Sequence, residues 1–294
     1  MVVQPLPQDI IDYLMDFLDL QTLKTTRLVH SLFDHACRQR IFKNVTLYVS
    51  PPRKSEPRHL FRPIFSPGST SSFRLSLLLD SSPDIIPLIK ALCLRDAPDV
   101  RTWPPGEFRD NDSQYLLLIL ERLTHLCQIE IRCTTLARWD ELQTALSSAF
   151  ASPRLTSIQF INTSFPIHVL YSCVSVRHLT LENAAGFHPV DDDSEVAQLP
   201  VRLQSLKIDH TPFEPAPLCF GKGEPFDISQ LNHLTLDIDS DPDHLARGEI
   251  LWKTYLQPAS QTLKYLNIGT DCMSPLTIQS PGLKIPLIIV CRVL

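Results

Sequence analysis

Leu231-Asn232-His233-Leu234-Thr235-Leu236 is the phrase on which the reading of this chain turns. Its form, apolar-x-x-apolar-x-apolar, recurs as Ile89-x-x-Leu92-x-Leu94, Leu126-x-x-Ile129-x-Ile131, Leu155-x-x-Ile158-x-Phe160 and Val176-x-x-Leu179-x-Leu181. It returns as Leu203-x-x-Leu206-x-Ile208 and Leu263-x-x-Leu266-x-Ile268. Between the last anchors of successive phrases the spacings are 37, 29, 21, 27, 28 and 32 residues. A short strand sends alternate side chains to one face, so the last two anchors share a face, and the first turns into the same core from the preceding turn. One such unit cannot cover its own anchors; stacking several does. At roughly 1.5–3 kcal/mol per fully buried Leu or Ile, a stack of this size has ample drive against chain entropy.

The expected fold class is α/β: an irregular leucine-rich solenoid with parallel strands over residues 46–294. Phe42-Lys43-Asn44-Val45-Thr46-Leu47 has the same form, and Val45–Val49 reads as a first strand. Ser113–Leu123, Arg138–Phe150 and Arg247–Gln257 read as helical returns, and Phe73–Asp80 as a short apolar helix broken by Ser81-Ser82-Pro83. Thr211–Pro217 and Phe187–Asp193 read as irregular returns. The competing arrangement is a doubly wound sheet, whose strands also alternate with helices. A spacing of 21 residues leaves little room for a full crossover helix, and no glycine-rich phosphate loop follows any strand. Residues 50–72, rich in Pro, Ser and Arg, read as a flexible loop. Leu283–Leu294 is strongly apolar and β-prone, without the polar outer face of a capping unit; it reads either as a last strand packed onto the sheet or as an end cut short, and the second is the expectation.

Ahead of the repeats, residues 1–45 read as a separate helical module. Pro7 suits a first helical position, where its missing N–H costs nothing, and Asp9 in the first turn meets the positive end of the helix dipole. Ile10, Ile11, Leu14, Phe17 and Leu18 follow at helical spacing. Asp19 is placed to cap a second helix carrying Leu20, Leu23 and Leu28, and a third amphipathic run uses Leu32, Phe33, Ala36 and Ile41. Three short helices bury little by themselves, so their apolar surface must be covered by the rest of the chain or by another protein.

The pattern Leu6-Pro7-x-Asp9-Ile10-Ile11-x-x-Leu14-x-x-x-Leu18-x-Leu20-x-x-Leu23, then Arg27-Leu28-Val29-x-x-x-Phe33, resembles an F-box, and the layout as a whole resembles fungal F-box proteins with degenerate leucine-rich repeats. Asp9 stands where Glu is commoner in that family, and Phe33 and Phe42 where Trp is often found. The resemblance implies a Skp-family adaptor as partner and, through it, a cullin–RING ubiquitin ligase of the SCF type. The chain would be its non-catalytic substrate-recognition subunit, with the target protein held by the repeats. It implies adaptor contacts from Leu6, Pro7, Ile10, Ile11, Leu14 and Leu18, with Leu20, Leu23 and Val29 completing the contact or holding the helices together. The alternative is an interaction scaffold whose helical start is only a cap, with no ligase connection.

Composition narrows the field. A chain of 294 residues with 44% hydrophobic content has material for a sizeable core. Net charge is −5 with both signs spread along the chain and no basic block, which argues against nucleic acid as partner. No apolar run approaches the ~20 residues of a membrane span, and the start lacks the basic, then apolar, form of a secretory leader. The expected setting is cytosol or nucleus, where the eight cysteines, none in a C-x-x-C pair, stay free.

Catalytic and metal motifs are missing from the sequence. Ten histidines are scattered with no H-E-x-x-H, and His30 and His35 fall off the i,i+4 register that would bring both to one metal. Asp191-Asp192-Asp193-Ser194-Glu195 lacks the alternating ligands and central glycine of a calcium loop. No G-x-S-x-G elbow occurs. No cofactor is expected. Of the three tryptophans, Trp103 in Trp-Pro-Pro-Gly-Glu-Phe is the one marked as a candidate target contact.

Overall fold

A computed structural model describes residues 7–49, 71–96, 109–133, 139–187, 200–209, 220, 225–238 and 255–270. Its centre is a parallel sheet of eight strands among the described residues: β1 (Asn44–Val49), β2 (Ala91–Asp96), β3 (Gln128–Arg132), β4 (Ser157–Ile161), β6 (His178–Glu182), β9 (Ser205–Asp209), β11 (His233–Ile238) and β12 (Tyr265–Thr270). They lie side by side in chain order. Short parallel pairs join β5 (Ser164–Pro166) to β7 (Ala185–Phe187) and β8 (Val201–Arg202) to β10 (Phe226–Asp227). The protein is thus mixed α/β with a large parallel sheet, and among the described residues that sheet does not close into a barrel.

The repeated phrase sets the register. Leu92, Ile129, Ile158, Leu179, Leu206, Leu234 and Leu266 face one another strand by strand, as do Leu94, Ile131, Phe160, Leu181, Ile208, Leu236 and Ile268. Val45 and Leu47 extend both rows into β1. All seven first anchors, Ile89 to Leu263, are buried as well. A slip of one residue would turn every inward side chain outward, so the register is held by burial.

Helices pack on the inward face in succession. After α1 (Gln8–Met15), α2 (Leu20–Thr26) and α3 (Ser31–Lys43) come α4 (Ser71–Ser81), α5 (Arg109–Arg122) and α6 (Trp139–Phe150). Helix α4 packs on α5, α5 on α6, and α6 on the 3-10 helix Ile167–Ser172. That last element is the return across the 21-residue spacing, where the chain is too short for an α-helix and its two flanking strands. The opposite sheet face keeps its side chains half-buried or exposed, with Ile161 the buried exception; parallel sheets more often bury both faces.

Two turns repeat each other in detail. Asn162 and Asn183 follow β4 and β6 with φ of 51° and 45°, a left-handed conformation that asparagine tolerates better than most residues. Asn162 N–H donates to the Glu182 carbonyl at 2.8 Å and Asn183 N–H to that of Asp209 at 2.7 Å. The Asn183 side-chain amide donates to Asn162 Oδ1 at 2.9 Å. These stacked turns aim the chain into β5 and β7, which the sequence pattern did not reveal. A Cβ on Gly186 of β7 would lie 2.8 Å from Ile167 Cγ1. Gly186→Ala is therefore expected to cost about 1–3 kcal/mol in urea unfolding; an unchanged midpoint would mean that Ile167 yields freely.

Some sequence expectations need correcting. Ser71 and Ser72 belong to α4, not to the loop expected over 50–72: Ser72 is buried, and the Ser71 hydroxyl accepts from Tyr48 N–H at 2.9 Å. Residues 50–70 lie outside the described set. Helix α5 begins at Arg109, four residues before the expected Ser113. Pro7 is the N-cap of α1 rather than its first helical residue, its carbonyl accepting from Ile10 and Ile11 N–H. Phe187 closes a strand where an irregular return was expected. Of the helix expected over Arg247–Gln257, only a buried turn at Tyr255-Leu256 leading to Gln257–Ala259 is described. Thr211–Pro217, the acidic run at Asp191 and the apolar end at Leu283–Leu294 fall outside the described residues.

Candidate functional site

Helices α1 to α3 carry a core of their own. Ile11, Met15, Leu23, Ala36 and Cys37 are buried together, with Leu18, Phe33 and Ile41 packed against them. The Cys37 thiol points at Met15 Sδ, 3.5 Å away, and burial raises its pKa. Arg40 of α3 fastens α1 from outside: its Nε donates to Asp16 Oδ1 at 2.7 Å, and its guanidinium also reaches the Asp12 carbonyl and, at 3.5 Å, the Asp12 carboxylate. Helix α3 runs straight into β1 and rests on the 3-10 helix Pro83–Leu88, where Arg38 meets Asp84 at 2.5 Å.

With that core closed, a second apolar stripe is left over. Ile10, Tyr13 and Leu14 recur at i, i+3 and i+4 on one face of α1, and Phe17, expected on the helix, extends the stripe from the turn that follows it. They are 45, 64, 47 and 69% exposed. Tyr13 and Phe17 meet edge to face at 4.9 Å. Leu20, Leu28 and Val29 are exposed beside them in the chain. These seven make up more than half of the twelve large apolar side chains exposed among the described residues, gathered in twenty positions. Scattered exposed apolar residues are ordinary; a concentration of this kind marks a contact surface.

The structure divides the sequence candidates between the two stripes. Pro7, Ile10, Leu14, Leu20 and Val29 are exposed, and Leu18 is half-buried against the small core. Ile11, expected on the contact face, is 1% exposed and points inward, because it shares the inward face of α1 with Met15, against which Leu18 packs from beyond the helix end. Leu23 also points inward, which leaves it the task of holding the helices together. Leu6 and Trp103 lie outside the described residues. Tyr13, Phe17 and Leu28 were missed as contact residues; the spacing 10-13-14-17 was the signal that could have found the first two.

Asp19 caps α2 as its sequence position implies, accepting from Thr22 N–H at 2.8 Å. The hydrogen bond from the Thr22 backbone, with that of its side chain, holds the Asp19 carboxyl below its ordinary range. A group depressed in the folded state stabilises it above the unfolded pKa and loses that effect as pH falls through the folded one. Amide exchange at Thr22, corrected for intrinsic rate, should therefore quicken as pH drops through the carboxylate range. In Asp19→Asn that pH step should vanish; a step of the same size in the variant would mean that another group causes it.

The open face of the sheet carries a second constellation. On β2 and β3, Glu130 accepts from Arg132 and from the Cys93 thiol at 3.2 Å, with Arg95 at 3.6 Å. On β6 and β9, Lys207 bridges Glu182 at 3.3 Å and Asp209 at 2.9 Å. Burial would lower the Lys207 ammonium, but its hydrogen bonds to Asp209 and Glu182 raise it on balance. His233 and Tyr265 stack at 4.4 Å on β11 and β12. The face is polar, and burial, the largest influence on the Cys93 thiol beside Glu130, raises its pKa and so favours the protonated form. Among the described residues no group of three His, Cys, Asp or Glu is placed to hold a metal, and no helix is long and apolar enough to cross a membrane.

No protein-family model matches the chain. No curated protein matches it either.

Proposed function

We propose that this protein is the substrate-recognition subunit of an SCF-type cullin–RING ubiquitin ligase, with residues 1–45 an F-box and residues 46–294 a leucine-rich-repeat-like solenoid. The observation that carries the reading is the uncovered stripe Ile10, Tyr13, Leu14 and Phe17 on a module whose own core is already closed by Ile11, Met15 and Leu23. A helix apolar on two faces, one sealed within the chain and one facing water, is suited to a partner's groove. Support for the solenoid comes from the eight strands in chain order, helices packed on one face only, and three buried anchors per phrase.

In this reading the protein makes and breaks no bonds and needs no cofactor. It binds a Skp-family adaptor through the helices and a target through the repeats, raising the target's effective concentration beside a ubiquitin-loaded enzyme. It works in the cytosol or nucleus. Co-expression of the intact chain with a Skp-family adaptor tests this: the two should co-purify through size exclusion. The rival is a repeat scaffold without ligase connection, favoured by the continuity of α3 with β1 and the Arg38–Asp84 pair, which suit a cap. Recovery of a soluble intact chain with no adaptor bound would decide for the scaffold.

A further inference from the structure

The sixteen positions on either side of the first anchors, from Ile41 and Lys43 to Thr262 and Lys264, line the edge where the sheet strands begin. They carry Lys43, Lys90, Arg154, Arg177, Arg202 and Lys264, with His125, and not one carboxylate, in a chain whose net charge is −5. The position after each anchor is stacked by the backbone: Lys90 N–H donates to the Lys43 carbonyl, Arg177 N–H to that of Thr156, Gln204 N–H to that of Arg177, and Lys264 N–H to that of Asn232. Residues far apart in sequence are thereby brought into single file, one strand spacing of about 4.8 Å at a time. The cations share one field: Arg154 and Lys90, after burial, depress His125, and Arg177, after burial, depresses His178.

Midway along this edge is a groove of about 780 Å³, with Arg177 and Arg202 in its lining and Pro153, Val174, Pro200 and Val201 as apolar wall. Val174 is 53% exposed there. The one carboxylate in the lining, Asp227, is engaged by Ser229, whose N–H and hydroxyl donate to it at 2.8 and 3.0 Å. Arg202 lies 3.8 Å from it with its side chain 74% exposed, and Arg177 makes no ion pair among the described residues. The groove therefore has cationic capacity to spare next to apolar surface.

We propose that this edge, centred on Arg177 and Arg202, binds an acidic, extended peptide segment. Alternate side chains of such a segment recur about every 6.8 Å, between the ~4.8 Å of cations on adjacent strands and the ~9.6 Å of cations two strands apart, a difference that long arginine side chains span. The apolar wall accepts an aliphatic neighbour of the acid. A peptide is favoured over nucleic acid because the groove lining holds no aromatic ring on which bases could stack, and the exposed ring farther along the edge, Tyr265, is already stacked on His233. The proposal supplies the chemistry of the target segment and rests on the receptor reading only in calling that segment a target.

The test is fluorescence anisotropy of the intact chain with a short fluorescein-labelled peptide alternating glutamate with leucine. Saturable binding that weakens with added salt is expected. Arg177→Glu with Arg202→Glu should weaken it about tenfold or more, while the charge-matched Lys24→Glu with Arg74→Glu, on exposed helical positions, should bind like the native chain. If the double reversal fails to fold, Arg177→Gln with Arg202→Gln takes its place, with weaker binding again expected. Undiminished binding by the groove variants overturns the proposal. So does an equal loss in the charge-matched control, or equal affinity for the lysine version of the peptide or for a single-stranded oligonucleotide. Adaptor co-purification is read separately and should survive the groove substitutions, so failure of the ligase reading remains distinguishable.

Discussion

Phe160→Ala is expected to lower the unfolding free energy by about 3–5 kcal/mol, among the largest single losses available in this chain. Phe160 is the last anchor of its phrase, on β4, and is fully buried. Its ring stacks on Phe165 at 4.0 Å with planes 16° apart and meets Phe150 of α6 edge-on at 6.5 Å. It thus ties the sheet to both a helical return and the short strand β5. Truncation removes the transfer free energy of the ring and leaves a cavity that the sheet on one side and α6 on the other cannot both collapse into. Phe160→Leu, which fills most of that space, should cost markedly less. Urea unfolding followed by circular dichroism reads both; a loss below about 1 kcal/mol for Phe160→Ala would mean that the three rings do not share one packed core.

Leu14→Asp and Ile11→Asp should part company completely, although the two leucine-sized side chains are three residues apart on one helix. Leu14 is 47% exposed, so aspartate there is hydrated and should change stability by no more than about 0.5 kcal/mol. Ile11 is sealed among Met15, Leu23, Ala36 and Cys37. An unpaired carboxylate there is desolvated without compensation and should melt the helical module, seen as loss of amide protection throughout α1. For the adaptor the order of interest reverses. Leu14→Asp, folded as well as the native chain, should lose about 2 kcal/mol or more of binding, as a central apolar anchor does. Full adaptor capture by folded Leu14→Asp would remove the stripe from the proposed contact and, with it, the main support for the ligase reading.

The two residues also show how far the site could be read in advance. Ile10, Ile11, Leu14, Phe17 and Leu18 all fall at helical spacing, and periodicity locates an apolar face without saying which neighbour covers it. Two stripes, 10-13-14-17 and 11-15-18, fit one helix equally well. Only the position of α3, fixed by Ala36 and Cys37 inside and by Arg40 gripping Asp12 and Asp16 outside, selects the second as core. Asp19 could be read correctly because capping is local: its partner Thr22 is three residues away. The turns at Asn162 and Asn183 could not, because each is held by a carbonyl of the next strand, beyond any local window.

What the chain's pattern determined by itself was where the eight strands of the main sheet lie and which of their residues turn inward. Alternation has a period of two and is settled within six residues, so the anchors from Ile89 to Ile268 all proved buried. Tertiary structure alone decided what becomes of the residues between the anchors. Parallel pairing sets Arg95 beside Arg132, Glu182 beside Asp209 within reach of Lys207, and the cations of the strand-start edge in file, across sequence gaps of unequal length. Those alignments depend on register and on which sheet face the helices take. Both are set by burial summed over many strands, a quantity that no single stretch of sequence contains.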